Sequence, residues 1–329
     1  MKKWLGIMMV LIIAISLTAC GSTEEEANAD SEQETDKTYT IGASQFVEHP
    51  SLDAAFEGFK QALSDKGLDV EYDFQSAQAD QTNALTIAQS FSSDQVDLIF
   101  ANATPSALTA LQATKDIPIV FTSVTDAVSA GLVSTMDEPG ENITGVVDMH
   151  PDAVINTIQF IDQYFEGATI GMIYNTGEQN SVVQIESVKK AAEGTSLSIV
   201  ERTVSTSAEV QQAATSLVGE ADVFYIVTDN TVVSALESVV GVANEQDIPL
   251  IVGEPDSLAR GGFATYGIDY YTIGYRSGEM AADILTGDKQ PNEIAVEYPP
   301  EMQLFINKDA ATEQNITWQD AWDEEAATE

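Results

Sequence analysis

The segment Val96-Asp97-Leu98-Ile99-Phe100-Ala101 is followed directly by Asn102-Ala103-Thr104-Pro105, and this succession decides the predicted fold. The first part is short, apolar and bounded by polar residues, as is typical of a buried strand. The second part is a polar loop, and its proline stands where a helix can begin. A strand, a short loop and a helix in this order indicate a βαβ unit and a parallel sheet.

The same succession recurs along the chain. In the first half, strands are predicted at residues 39–44, 70–74, 96–101, 117–122 and 143–147, and helices at 50–66, 80–92 and 105–113. In the second half, helices are predicted at residues 151–165, 181–192, 208–218 and 232–245, and strands at 169–174, 197–204, 223–227 and 250–253. The two halves begin alike, with Glu48-His49-Pro50 and Met149-His150-Pro151. We therefore predict an α/β protein with two doubly wound parallel-sheet lobes.

The N-terminus indicates export. Met1-Lys2-Lys3 is positive, and residues 4–17 are apolar but shorter than the ~20 residues that span a bilayer. This pattern is typical of a signal peptide. Leu17-Thr18-Ala19-Cys20-Gly21 is similar to the bacterial lipobox, and Cys20 is the only cysteine of the chain. We predict a lipoprotein signal peptide over residues 1–19 and lipidation of Cys20; an ordinary signal peptide ending near a cysteine is the alternative.

Charge restricts the partners. The chain carries 53 acidic and 13 basic residues, for a net charge of −40. Nucleic-acid binding needs a basic surface, so no nucleic-acid partner is expected. Residues 20–37 are polar and acidic, which predicts a tether between a lipid anchor and the folded body. The acidity fits either a saline or alkaline habitat or simply a soluble surface.

The sequence offers little for catalysis. Both histidines precede a proline, where they are expected to start a helix, and no Gly-x-Ser-x-Gly motif or phosphate-binding loop is present. Glu254 and Asp256 could form a glycosidase-like carboxylate pair or could bind an ammonium group. We expect a binding protein without enzymatic activity, with no cofactor and no metal.

Ligands of doubly wound sheets bind outside the carboxyl ends of the strands. The predicted loops at these ends, and the helix starts after them, carry small polar residues that either cap helices or bind a ligand. Their convergence on one cleft between the lobes favours binding. The candidate ligand-binding residues are Ser44, Gln45, Phe46, Thr104, Thr122, Ser123, Asn175, Asn180, Ser181, Asp229, Asn230, Asp256 and Asp269.

The same loops predict the chemistry of the ligand. No arginine falls in them, so an arginine fork for a carboxylate or phosphate is not expected. One negative charge is expected to rest on backbone N–H groups and hydroxyls near Thr104, Thr122 and Ser123. The acidic residues expected to accept a cation are Asp229, Asp256 and Asp269. An anion pocket beside a carboxylate fits an α-amino acid. Nearby aromatic residues favour an aromatic side chain; these are Phe46, Tyr266, Tyr270 and Tyr271.

The chain also resembles a known family. Ile41-Gly42-Ala43-Ser44-Gln45-Phe46-Val47-Glu48-His49-Pro50 is similar to the opening strand and loop of the ABC-transporter substrate-binding lipoproteins related to tryptophan- and tyrosine-binding proteins. Further matches are Thr122-Ser123-Val124-Thr125-Asp126, Gly253-Glu254-Pro255 and Ala264-Thr265-Tyr266-Gly267-Ile268-Asp269-Tyr270-Tyr271 with Gly274-Tyr275. The resemblance covers about residues 39–307 and implies the type I periplasmic-binding-protein fold, whose two lobes are joined by three crossovers.

We place these crossovers near Asp148, Asp269 and Gln290. The N-terminal lobe then comprises residues 38–148 and 269–290, and the C-terminal lobe comprises 149–268 and 291–329. The resemblance implies a monomeric lipoprotein on the outer face of the cell membrane that passes a small molecule, an amino acid by our reasoning, to ABC permease subunits. The alternatives left open are a ligand-sensing surface receptor and a binder of another solute, such as a nucleoside or sugar.

Overall fold

A computed structural model of the protein describes residues 37–327. The predicted signal peptide over residues 1–19, the lipidation site Cys20 and all but the last residue of the tether predicted over 20–37 lie outside the described residues. No helix between residues 37 and 327 combines the length and apolar character needed to cross a membrane.

The first lobe is built on a five-stranded sheet in which all neighbouring strands run parallel. Its elements are β1 (Thr38–Gln45), α1 (Pro50–Asp65), β2 (Asp69–Ser76), α2 (Gln81–Asp94), β3 (Leu98–Asn102), α3 (Thr104–Ala113), β4 (Ile119–Val124) and β5 (Ile143–Val147). The strand order is β2-β1-β3-β4-β5. Strands β3, β4 and β5 are buried along their whole length, because apolar clusters cover both faces of the sheet.

The second lobe repeats this plan with a six-stranded sheet. Its elements are α4 (Ala153–Tyr164), β6 (Thr169–Asn175), α5 (Gln179–Ala192), β7 (Ser198–Val204), α6 (Val210–Ser216), β8 (Val223–Ile226), α7 (Asn230–Val233), α8 (Leu236–Glu245), β9 (Leu250–Val252), α9 (Pro255–Ala259) and β10 (Ala264–Gly267). The helix predicted over residues 232–245 is two helices, because the backbone leaves the helical region at Ala235. The prediction of two doubly wound α/β lobes is confirmed.

The chain crosses between the lobes three times. It leaves the first lobe after β5 and returns after β10 to form α10 (Tyr270–Leu285). The third crossover was predicted too early, near Gln290. Residues 291–297 belong to the first lobe, because Glu297 pairs with Val146 at the edge of its sheet and Val296 N donates to Met136 O.

The chain returns to the second lobe only before β11 (Gln303–Ile306), which is followed by α11 (Lys308–Glu313) and α12 (Trp322–Glu325). Strand β11 pairs antiparallel with β10. The second sheet is therefore parallel except at this edge, whereas only parallel strands were predicted. Strand β11 is a short edge strand, and its partner comes from far away in the sequence.

Helix α10 packs closely on α1 through glycines. A Cβ atom on Gly274 would lie 1.9 Å from Ala55 O, and one on Gly58 would lie 2.1 Å from Tyr271 O. The two backbones can approach this closely only because neither position has a side chain. This contact fixes the first turn of α10, which begins at Tyr270, against the start of the first lobe.

Candidate functional site

A cavity of about 400 Å³, part of it open to solvent, lies between the lobes. The first lobe contributes Val47, His49, Ser51, Leu52, Ala103, Thr104, Ser123 and Thr125; the second contributes Asn180, Thr228, Asn230, Val233 and Glu254; the crossovers contribute Asp148 and Tyr270. Most of these residues follow the carboxyl ends of strands, as the rule for doubly wound sheets predicts.

The ends of β3 and β4 form one wall of the cavity. Ala103 and Ser123 both have positive φ angles, of 90° and 56°, although neither is a glycine. Such backbone geometry is uncommon and tends to occur at functional sites. Thr104 Oγ1 accepts a 3.3 Å hydrogen bond from Thr125 N, which ties the two loops together. Ser123 Oγ is buried and has no hydrogen-bond partner among residues 37–327.

The start of α1 forms a second wall. His49 caps the helix, and its Nδ1 accepts a 3.3 Å hydrogen bond from Ser51 N. Burial, assisted by the positive charge of Arg260, lowers the pKa of His49 to about 4. The ring is therefore neutral at pH 7, and its proton is on Nε2 because Nδ1 is an acceptor. Nε2 lies 3.6 Å from Glu254 Oε1, across the cleft.

Ser51 also contacts the second lobe. Its Oγ lies 2.6 Å from Glu254 Oε2 and 2.5 Å from Asp256 Oδ2. A hydroxyl has one proton, so it can donate to only one of these carboxyl groups at a time. Burial raises the pKa of Glu254. Ser51 and its two acidic partners therefore form a polar contact between the lobes at the edge of the cavity.

The crossovers supply an acidic group at the base of the cavity. Tyr270 donates a 2.9 Å hydrogen bond from its hydroxyl to Asp148 Oδ2. Asp148 Oδ1 is buried and has no partner within the described part of the chain. Burial raises the pKa of Asp148 to about 6, against an opposing effect of the hydrogen bond from Tyr270. A cationic group of a ligand beside Oδ1 would favour the carboxylate form.

The second lobe presents two amide side chains. Asn180 Nδ2 donates to Thr228 O at 3.1 Å, and its Oδ1 is buried without a partner in the described structure. Asn230 donates to Glu178 Oε2 through both its backbone N and its Nδ2, at 3.0 and 2.7 Å. Glu178 is itself buried and does not line the cavity.

Of the predicted site residues, Thr104, Ser123, Asn180 and Asn230 line the cavity. Six others do not line the cavity and instead pack or form hydrogen bonds within the lobes. Phe46 packs in the apolar core, and Gln45 Nε2 donates to Asp53 at 2.8 Å. Ser44 hydrogen bonds to Ser106, and Thr122 is fully buried in β4. The last two of the six are Asn175, which donates from its backbone N to Asp229, and Ser181, which is buried in α5.

The prediction of which acidic residues face the cavity needs correction. Asp229 is fully buried, and its carboxyl accepts hydrogen bonds from Asn175 N at 2.6 Å and Val232 N at 2.8 Å, so it caps α7. Burial first, and the nearby carboxyl of Glu178 second, raise its pKa to about 7. Asp269 caps α10 and is exposed to solvent, and Asp256 contacts Ser51 rather than the cavity. The acidic residues that line the cavity are Asp148 and Glu254.

Sequence reasoning missed several lining residues for a common reason. His49 and Ser51 lie at a helix start, where a capping role explains them equally well, and indeed His49 does cap α1. Asp148 directly follows β5 but was interpreted only as a crossover, and Tyr270 was considered only as an aromatic residue near the ligand. The Glu48-His49-Pro50 start was noted, but nothing in the sequence shows that the ring faces a cleft.

Comparisons with known proteins agree with this architecture. Residues 40–329 match the family described as ABC transporter substrate binding protein. The chain is similar to a tyrosine-binding protein of Clostridioides difficile (strain R20291), with 42% identity over 94% of this chain and 91% of that protein.

Two solved structures show how the lobes are arranged. A Streptococcus pneumonia ABC domain in complex with L-Trp has 30% identity, covers 88% of this chain and 99% of its own, and gives a TM-score of 0.83. A ligand-free, open substrate binding protein with adhesive properties from Clostridium difficile has 40% identity, covers 86% of this chain and 96% of its own, and gives a TM-score of 0.64. In the structure described here the lobes touch across the cavity, because Ser51 contacts Glu254 and Gln81 contacts Gly177.

The proteins of this family bind solutes and are not enzymes, in agreement with the absence of a catalytic motif in the sequence. The fold, the cleft between two lobes and the match over residues 40–329 lead to one conclusion. The chain belongs to the ABC transporter substrate binding protein family.

Proposed function

We propose that this protein is the solute-binding lipoprotein of an ABC importer and that it captures an α-amino acid, preferably an aromatic one, between its lobes. The observation that carries the proposal is a set of buried polar atoms without partners in the described structure, and the residues that carry them, from both lobes and a crossover, all line one cavity. These atoms are His49 Nε2, Ser123 Oγ, Asp148 Oδ1 and Asn180 Oδ1.

Two of these atoms fit an α-ammonium group. Asp148 Oδ1 and Asn180 Oδ1 are both acceptors, and each is buried without a donor among residues 37–327. A buried acceptor without a donor costs about 1–3 kcal/mol, so the site favours a ligand that brings several N–H donors. An ammonium group provides three, and its charge is complementary to the carboxylate of Asp148.

Two groups of the first lobe fit a carboxylate. Ser123 Oγ can donate a hydrogen bond, and the neutral His49 ring presents Nε2–H. No arginine between residues 37 and 327 lines the cavity, and each pairs with a glutamate, including Arg260, whose charge acts on His49. These pairs are Arg202 with Glu220, Arg260 with Glu237, and Arg276 with Glu297. Neutral donors suit a single negative charge better than the double charge of a phosphate.

Part of the remaining lining is apolar and could hold the ligand's side chain. Val47, Leu52 and Val233 belong to the lining, and so does Tyr270. Stacking on the ring of Tyr270 would contribute about 0.5–1.5 kcal/mol beyond burial of area. The names of the similar proteins, one tyrosine-binding and one solved with L-Trp, support an aromatic amino acid.

Export, anchoring and delivery complete the proposal. The N-terminal pattern and Cys20 support a lipid anchor on the outer face of the cell membrane. A lipid-anchored binding protein would remain near the permease subunits that receive its ligand. The strongly acidic surface would keep the folded body away from anionic headgroups, so the anchor alone would hold it at the membrane.

Calorimetry tests the ligand class. The protein, first stripped of bound small molecules, is titrated with tyrosine, tryptophan and phenylalanine, and with leucine, a nucleoside and a sugar as comparisons. We expect binding of at least one aromatic amino acid, and mass spectrometry of the released molecules should identify it. Tight binding of the nucleoside or sugar without any response to amino acids would show that the ligand class is wrong.

A further inference from the structure

Glu178 lies behind the second-lobe wall of the cavity. It precedes α5, is 1% exposed and does not line the cavity itself. Its Oε1 accepts hydrogen bonds from Thr231 N at 2.9 Å and Thr231 Oγ1 at 2.7 Å. Its Oε2 accepts from Asn230 N at 3.0 Å, Asn230 Nδ2 at 2.7 Å and Asn180 Nδ2 at 3.4 Å. The carboxylate therefore connects two residues of the cavity wall, Asn180 and Asn230.

This arrangement determines which end of the Asn180 amide faces the ligand. A carboxylate and a main-chain carbonyl are acceptors only, so they require a donor from their neighbour. Glu178 Oε2 and Thr228 O both lie next to Asn180 Nδ2, at 3.4 and 3.1 Å. If the amide were rotated by half a turn, its oxygen would face two other acceptors. The oxygen is therefore directed to the other side, where it is buried and has no partner in the part of the chain that the structure describes.

We infer that Glu178 is a positioning residue that holds Asn180 as a hydrogen-bond acceptor and thereby makes the cavity select ligands that carry an ammonium group. This inference rests on the proposed function, because it assigns a cause to the amino-acid preference of the same cavity. Glu178 does not line the cavity, and the selection inferred here is exerted through Asn180, while its shorter hydrogen bonds to Asn230 hold the neighbouring part of the wall. A ligand of the same shape without the ammonium group gains nothing from Asn180 held in this orientation.

The test is Glu178→Gln, which keeps the shape of the side chain but replaces one oxygen by an NH₂ group. If that NH₂ group occupies the position of Oε2, it faces the N–H donors of Asn230 and Asn180. Thr228 O then remains as the acceptor that opposes rotation of the Asn180 amide, and the orientation that presents its nitrogen to the cavity becomes more populated. Affinities are measured by calorimetry for L-tyrosine and for 3-(4-hydroxyphenyl)propionate, which differs only in lacking the ammonium group. We expect the ratio of the two affinities to fall by about tenfold or more.

A matched control is Glu193→Gln at the other end of α5, where the side chain is exposed. It should leave both affinities unchanged. The ratio separates positioning from a general structural role, because a loosened wall would weaken both ligands alike. Equal losses for tyrosine and its analogue, or no loss for either, would overturn the inference while leaving the proposed function standing.

A second variant keeps the test informative if Glu178→Gln does not fold. Asn180→Ala removes the acceptor that Glu178 is inferred to orient, and the ratio should fall by a similar factor. An unchanged ratio in Asn180→Ala would overturn the inference. Where both variants fold, the double variant should lower the ratio no further than Asn180→Ala alone, because the two residues act as a unit. Failure of the wild-type protein to bind any amino acid would instead show that the proposed function is wrong, and the inference with it.

Discussion

Ser51 Oγ lies 2.6 Å from Glu254 Oε2, and this contact joins helix α1 of the first lobe to the residue that caps α9 in the second lobe. A second hydrogen bond between the lobes runs from Gln81 Nε2 to Gly177 O, at 2.8 Å. Both contacts require the lobes to be close together. They therefore stabilise the closed arrangement relative to any open one, and a ligand that binds both lobes shifts the same equilibrium.

Removing the Ser51 hydroxyl should weaken ligand binding without unfolding the protein. In the wild type, the Ser51 hydroxyl contacts the carboxyl groups of Glu254 and Asp256 when the lobes are closed. In Ser51→Ala these carboxyl groups lose that partner, which raises the free energy of the closed state by about 1–3 kcal/mol. We expect the ligand affinity to fall about tenfold and the scattering radius of gyration of the ligand-free protein to rise. The control is Ser64→Ala at the exposed end of the same helix. Unchanged affinity and radius in Ser51→Ala would show that this contact does not hold the lobes closed.

Glycine at position 274 should matter for stability. A methyl group there would lie 1.9 Å from Ala55 O, so Gly274→Ala must push α10 away from α1. We expect a loss of about 1–3 kcal/mol in the free energy of unfolding. Gly241→Ala in α8 is the matched control, since nothing lies within 4 Å of its added carbon. That change should instead stabilise the helix by about 0.5–1 kcal/mol. Urea unfolding measures both, and equal effects would refute the packing argument.

The rule that ligands of doubly wound sheets bind outside the carboxyl ends of the strands explains how much of the site could be predicted. Thr104, Ser123, Asn180 and Asn230 were found because they follow predicted parallel strands, whose carboxyl ends must face the cleft. The same rule could not separate a ligand-binding carboxylate from a helix cap. Asp229 has the same sequence context in either role, and only its short hydrogen bonds to backbone N–H groups identify it as a cap.

Long-range pairing explains what could not be predicted. Glu297 joins the first sheet beside Val146, and no local pattern in residues 291–297 indicates a strand. The antiparallel pairing of β11 with β10 likewise depends on a partner distant in the sequence. Glu178 was missed because its role consists of contacts with Asn230 and Thr231, which lie more than fifty residues away.

Cys20 should control membrane attachment. The lipobox-like segment predicts that its sulfur is lipidated, and two hydrophobic chains are enough for stable anchoring. In Cys20→Ala, we expect the protein to leave the membrane fraction or to remain unprocessed. Fractionation followed by mass spectrometry of the N-terminus measures both. Ser22→Ala, just after the segment, serves as the control and should behave as the wild type. A Cys20→Ala protein that is processed and fractionates normally would rule out lipidation at this residue.

The ionised carboxylate of Asp148 should strengthen the binding of an amino acid and lower the stability of the ligand-free protein. Burial raises its pKa from 3.8 to about 6, so in the ligand-free protein its carboxyl favours the folded state below pH 3.8, and this contribution is lost as the pH rises through 6. At pH 7 the buried carboxylate costs stability, and a shift of this size corresponds to about 3 kcal/mol. Asp148→Asn removes the titrating group and keeps an acceptor for the Tyr270 hydroxyl, 2.9 Å away in the wild type.

We therefore expect ligand-free Asp148→Asn to melt at a higher temperature than the wild type at pH 7, and the difference to shrink as the pH is lowered from 7 to 4. Its affinity for an amino acid should fall by more than tenfold, because losing a buried charge partner costs about 2–5 kcal/mol. Melting curves at several pH values and calorimetry at pH 7 measure the two effects separately. A variant that melts lower than the wild type at pH 7 would mean that the carboxylate is not strained by burial. A variant that binds the amino acid as tightly as the wild type would mean that the ammonium group lies elsewhere in the cavity.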